Sequence, residues 1–237
     1  MDPGAGPVDG MIRTPQDMAW MEAMIAAGYR FSGGNTLDKS QLWYGDFIYA
    51  DRNGDGDYGD ENDRHFTGHS SQPLWNLGLN LSLSWKNLSF HALLTGAFGF
   101  WLNWRSSYYN TSIVQNGYGI SRRIADNHYF YDPGGDPSAN FINATYPRLT
   151  LNSDMNNAKL SDFYHYRGDY VKLRTVQLSY TLPEDVCKRI RTRGIRVFVS
   201  ADNLLTMTSY PGLDPEIGTS ITYPLTRSFN LGANVNF

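Results

Sequence analysis

The stretch PLWNLGLNLSLSWKN, residues 73–87, decides the fold. Trp75, Leu77, Leu79, Leu81, Leu83 and Trp85 take alternate positions, and Asn76, Gly78, Asn80, Ser82, Ser84 and Lys86 fill the gaps. Period two puts the first set on one face of a strand and the second on the other. From Trp75 to Trp85, at about 3.3 Å per residue, the run is about 33 Å long; a tilt of about 40° projects it to roughly 25 Å, the height of a transmembrane barrel's apolar band. Indole prefers the membrane–water interface and leucine the hydrocarbon, so this is the pattern of a lipid-facing strand. Strands of soluble sandwiches are usually shorter.

Lys86 and Asn87 form a tight turn into a second alternating run, in which Phe90, Ala92, Leu94, Phe98, Phe100, Leu102 and Trp104 share a face with Gly96 the one gap. Trp104 joins Trp75 and Trp85 as a lipid-facing girdle residue. Residues 105–168 are too long for a loop of a compact domain and form a large surface excursion. A third strand runs from Tyr170 to Leu182. Its apolar phase shifts between Leu173 and Val176, which predicts a β-bulge near Arg174 and Thr175, and Pro183 ends it. Ile195, Val197, Val199 and Ala201 mark a fourth strand, after which Asn203 opens another excursion. The chain closes with Phe229, Leu231, Ala233, Val235 and Phe237 alternating with Ser228, Asn230, Gly232, Asn234 and Asn236.

These runs read as five membrane-length strands of an all-β fold, the antiparallel wall of a transmembrane β-barrel in a lipid bilayer. Strands occupy 73–237, interrupted by loops 105–168 and 206–227. Residues 1–72 read as a loop region with at most one short helix, Pro15–Ala27, which has Thr14 as N-cap, Pro15 at N1 and Gly28 as its stop. The segment Trp43–Ala50 is expected in a loop hairpin. Short connections near Lys86 and Cys187 alternate with long ones, as barrels alternate periplasmic turns with extracellular loops, so the C-terminus is expected in the periplasm.

Composition narrows the classes. A formal charge of −3 leaves no basic stripe for phosphates, so no nucleic-acid partner is expected. The single Cys187 excludes an internal disulfide framework and a cysteine zinc cluster. No window of about 18 apolar residues is present for a membrane helix, and barrel strands are invisible to mean hydropathy because their two faces average out. Asp17 and Glu22 beside the modest apolar run Met18–Ala27 do not make a signal peptide, so a fragment is expected.

GDFIYADRNGDG (45–56) with DRHFTG (63–68), YVKLRTVQLSYTLP (170–183) and NLLTMTSYPGLDPE (203–216) with the terminal Phe resemble the C-terminal signatures of SusC/RagA proteins, over roughly residues 43–237. The resemblance implies the C-terminal strands of a barrel of about 22 strands with an internal plug. It implies TonB-dependent uptake of oligosaccharides or peptides across the outer membrane of a Bacteroidetes-type bacterium. The implied partners are a SusD-like surface lipoprotein, the TonB system and the outer-membrane assembly machinery, for which Phe229, Leu231, Ala233, Val235 and Phe237 would be the signal. No plug or TonB box is found, so this chain alone is not expected to transport, nor to be an enzyme.

Asp51, Asn53, Asp55 and Gly56, with Asp57 next, match the start of an EF-hand-like calcium loop. The closing acid, Asp63, falls one position late. A Gly/Asp surface turn is the alternative. His65 and His69 read as solvated loop residues, and Asp214-Pro215-Glu216 as a rigid turn, since neighbouring acids seldom face each other across a substrate. Trp101, Trp104, Tyr108 and Tyr109 could stack on sugar rings. A soluble, secreted, calcium-dependent carbohydrate-binding β-sandwich is the competing reading. It explains the acidic loop and the aromatics but neither the Trp-to-Trp length nor the terminal Phe.

Overall fold

A computed structural model of the chain describes residues 6–104, 120–150, 156–220, 222–223 and 225–237. It divides into two compact units, one of Met1–Thr67 with Arg105–Asp162 and the other of Gly68–Trp104 with Phe163–Phe237.

In the first unit, helix α1 spans Pro15–Ala26 and begins with the expected cap. The Thr14 hydroxyl accepts from the Asp17 N–H, and the Asp17 carboxylate accepts from the Thr14 N–H at 2.8 Å. Two of the helix's otherwise unpaired donors are thereby satisfied. Met21 and Met24 of α1 pack with Ile12, Phe31 and Leu42 into a small core. Strand β1 (Arg30–Phe31) pairs in parallel with β2 (Asp57–Tyr58), and α2 is a single turn, Arg122–Ala125. Asp46 is buried. Its carboxylate accepts from Arg148 Nε at 2.6 Å, Arg148 Nη2 at 2.9 Å, Asn157 Nδ2 at 2.8 Å and the Trp43 N–H at 2.8 Å. The hairpin expected over Trp43–Ala50 is absent; an isolated antiparallel bridge, Met11 to Phe47, stands in its place.

The second unit carries the expected wall. Strands β3 (Trp75–Trp85) and β4 (Leu88–Phe98) are joined by Lys86 and Asn87, with Lys86 at φ 52°. Short β5 (Trp101–Asn103) and β6 (His165–Arg167) form a separate ribbon. Strand β7 (Tyr170–Thr181), helix α3 (Glu184–Arg189), β8 (Gly194–Thr208) and β9 (Ser228–Asn236) complete the chain. The sheet is an antiparallel meander of order β3-β4-β7-β8-β9.

Register turns the sequence pattern into two continuous faces. Leu79 opposes Leu94, Leu94 opposes Leu173, and Leu173 opposes Leu205. Leu83 leads through Phe90, Leu178 and Val199 to Leu231 in the same way. Directly opposed residues share a face, so one side of all five strands is apolar. The other side carries Asn80, His91, Thr95, Lys172, Gln177, Ser200, Asp202, Asn230 and Asn234, with Leu93, Ala97 and Phe198 as apolar exceptions. The bulge lies where the phase shift predicts: Leu93 pairs Thr175 and Leu94 pairs Leu173, leaving Arg174 as the extra residue. The Gly96 gap is covered by the Phe98 ring, which lies 2.9 Å from where a Cβ would stand.

The structure corrects the expected reading at four further places. The second strand ends at Phe98, because Gly99 at φ 78° turns the chain out of the sheet. Trp104 therefore leaves the apolar row: it is buried, 1% exposed, and its backbone N–H donates to the Tyr164 carbonyl at 2.8 Å. Asn203 does not end the fourth strand. It takes φ 51° as an irregularity within β8, which continues to Thr208, so the excursion expected from 206 begins after that residue. Among the described residues three α-helices form, not one, because the turn after Pro183 is long enough to close α3 around the buried Cys187.

Candidate functional site

Trp75, Leu79, Leu83, Trp85, Phe229 and Leu231 are between 56% and 86% exposed although they sit in regular strands. Soluble monomers rarely expose a contiguous apolar patch of more than a few hundred Å2. Trp75 and Trp85 stand at the two ends of β3 as expected, and in the terminal strand Phe229, Leu231, Ala233 and Val235 share the apolar face. Phe237 follows β9 and is also exposed.

On the polar face, near the end that carries the long connections, four charged side chains meet. The side chain of Lys172, on β7, is 2% exposed, and its Nζ donates to both Asp214 oxygens at 2.6 Å and to Glu216 Oε2 at 2.8 Å. Glu216 also accepts from Arg174, whose Nε donates to Thr95 Oγ1 at 3.0 Å. The bulge gives Arg174 this role, since as the extra residue it lies on the polar side without displacing the apolar row. Burial pushes the Glu216 carboxyl upward, but hydrogen bonds and charge from Lys172 and Arg174 outweigh it and hold that group below the usual carboxylate range. Asp214 and Glu216 do form a turn, with the Glu216 N–H donating to Asp214 Oδ1 at 2.9 Å. Their pairing with strand cations was not legible in sequence because 42 to 44 residues separate the partners.

The acidic loop of the first unit is closed by its own backbone. Asp51 accepts from the N–H groups of Gly54 at 2.6 Å and Gly56 at 2.9 Å, while Asn53 donates to Asp55 at 2.7 Å. Asp57 is engaged by the exposed Arg30 guanidinium at 2.5 Å, and Asp63 accepts from Arg52 at 2.5 Å, Gly59 at 2.7 Å and Asp60 at 3.3 Å. No group of three or more His, Cys, Asp or Glu side chains converges as a metal site among the described residues. Calcium at this loop is thus carried by sequence spacing alone. Burial raises the Asp63 carboxyl, but backbone donors from Arg52, Gly59, Asn53 and Asp60 prevail and hold it below its ordinary value. A depressed folded pKa stabilises above the unfolded value of about 3.9, and the contribution is lost as pH falls through the folded value. The amide protection factors of Arg52 and Gly59, corrected for the intrinsic pH dependence of exchange, are therefore expected to fall on acidification below about pH 4, and an Asp63→Asn variant to lose most of that pH dependence. Unchanged pH dependence in the variant would remove Asp63 as its source.

His69 is not simply solvated: its ring stacks on Trp101 at 3.8 Å and 7°, with His165 5.9 Å from it. Arg167 lies 5.9 Å from the Trp101 ring, so that ring is already engaged. Tyr108 and Tyr109 lie outside the described residues.

Strands of this length with one polar face and one exposed apolar face ending in tryptophans have the two-sided construction of a transmembrane β-barrel wall. The chain is 27% identical over 227 residues to the TonB-dependent receptor P3 of Formosa agariphila, aligning 87% of its own length with 21% of that protein. It is 22% identical over 195 residues to the TonB-dependent receptor SusC of Bacteroides thetaiotaomicron, aligning 80% of itself with 17% of that protein. It superposes on the RagAB peptide importer in the closed-closed state with a TM-score of 0.58 at 23% identity, covering 88% of this chain and 22% of that one. The open-open state gives 0.54 at the same identity and coverage. No protein-family model matches the chain. Its homologues are thus TonB-dependent receptors, with the SusC/RagA-type importers as its structural neighbours. The chain spans about a fifth of the length of the curated relatives it matches.

Proposed function

We propose that the chain is the C-terminal part of the barrel wall of an outer-membrane, TonB-dependent importer of oligosaccharides or peptides. The observation that carries this is the apolar face shared by β3, β4, β7, β8 and β9, which stays exposed between Trp75 and Trp85. The opposite face, rich in Asn, Ser and Thr, would line the lumen. In this reading the short turns and Phe237 are periplasmic, and β9 presents Phe229, Leu231, Ala233, Val235 and Phe237 to the assembly machinery. A SusD-like surface lipoprotein and the TonB system act with the complete receptor. The outer strands β3 and β9 are paired on one side only among the described residues. Unpaired backbone groups cost several kcal/mol each in hydrocarbon, so both edges call for further strands of the same wall. The sandwich alternative would need a second sheet over the apolar face.

An antibody raised to residues 120–150 is expected to detect, in the outer-membrane fraction of the source organism, a band on the order of 100 kDa, the size of a barrel of about 22 strands with a plug. A soluble band at the chain's own 26.8 kDa would overturn the proposal.

A further inference from the structure

The segment after β8 does not leave the wall freely. Tyr210 is buried, and its hydroxyl donates to the Gly218 carbonyl at 3.1 Å, closing residues 210–218 into a compact loop. Asp214, 7% exposed, and Glu216 project from that loop onto Lys172 and Arg174 of the polar face. The Lys172 ammonium sits 5.3 Å from the Tyr170 ring, with the network's single hydroxyl supplied by Thr95. Resting on the reading of that face as the lumen wall, we infer that Lys172 and Arg174 are positioning residues that clamp the 210–218 loop across the passage and so restrict entry along the wall.

Both cations project from one bulged strand, and both carboxylates from one turn. The clamp thereby joins a rigid element to a loop at two points, and the loop cannot swing while both are made. Removing Lys172 leaves Asp214 buried without its cation, a state the loop escapes by moving into water. The bidentate contact of one ammonium with Asp214 and its third bond to Glu216 leave this lysine no free donor for a passing substrate.

The test uses the complete receptor in outer membranes. Amide exchange is followed over residues 209–220, and Thr206→Cys, on the polar face, reports access to a membrane-impermeant maleimide; the buried native Cys187 is the internal reference. Lys172→Met is expected to speed both exchange and labelling about tenfold or more, as a locally opened segment does, at an unchanged amount of assembled protein. Lys172→Arg, which keeps the cation, is expected to restore slow labelling. If Lys172→Met fails to assemble, Asp214→Asn with Glu216→Gln, both outside the strands, must produce the same acceleration. Wild-type rates of exchange and labelling in an assembled clamp variant would overturn the inference. Exchange reports the clamp even if the receptor reading fails, whereas accelerated exchange in Lys172→Met with a Thr206→Cys that stays unlabelled by the impermeant maleimide would refute the lumen assignment alone.

Discussion

Leu79→Arg is expected to cost about 2–4 kcal/mol of barrel stability, because Arg at the bilayer midplane on a lipid face carries that penalty. Leu79 lies near the middle of the run from Trp75 to Trp85, 60% exposed, with Leu94 as its cross-strand neighbour. The matched control is Asn80→Arg, one residue along and on the opposite face, where a charge projects toward the polar side and assembly should be retained. The measurement is the amount of folded, heat-modifiable receptor in the outer membrane, with urea unfolding in lipid vesicles for the free energy. Equal assembly of the two variants would mean that the apolar face does not meet lipid.

In the first unit, Arg148→Met is expected to cost about 3–5 kcal/mol, the penalty for leaving one partner of a buried ion pair uncompensated. Asp46 is 1% exposed and the Arg148 side chain 15%, and this guanidinium also donates to the carbonyls of Lys39 at 3.1 Å and Gln41 at 3.3 Å. One side chain therefore ties two parts of the chain separated by about a hundred positions. Denaturant unfolding, or amide exchange at Trp43 and Phe47, reads the effect. A loss below about 1 kcal/mol would show that the pair behaves like an exposed one.

Local periodicity carried most of the wall. Alternation fixed the face of β3 and β9 residue by residue, and the broken phase between Leu173 and Val176 located the bulge. What stayed hidden depended on backbone conformation or on distant partners. Gly99 turns the chain although the apolar alternation continues through Phe100 and Leu102, so Trp104 looks like part of the strand until its burial is seen. Asn203 reads as a loop starter, yet its left-handed conformation is absorbed within β8. Lys172 looks like an ordinary polar-face residue; its carboxylates arrive from beyond the next strand. In the acidic loop, spacing does not reveal that Asp51 and Asp63 accept from backbone N–H groups of their own turn.

The meander also sets an order of events during assembly. Two residues, Lys86 and Asn87, close β3 onto β4, whereas residues 99–169 intervene before β4 can meet β7. Each doubling of a loop adds about 0.6 kcal/mol of closure entropy, so about five doublings place the second pairing about 3 kcal/mol behind the first. The β7–β8–β9 group, joined by residues 182–193 and 209–227, lies between these extremes. Two sequence-local pieces thus form early, and the seam from Leu88–Tyr180 to Ala97–Tyr170 is the last joint to zip. Substitutions along that seam should slow folding more than those at the β3–β4 turn.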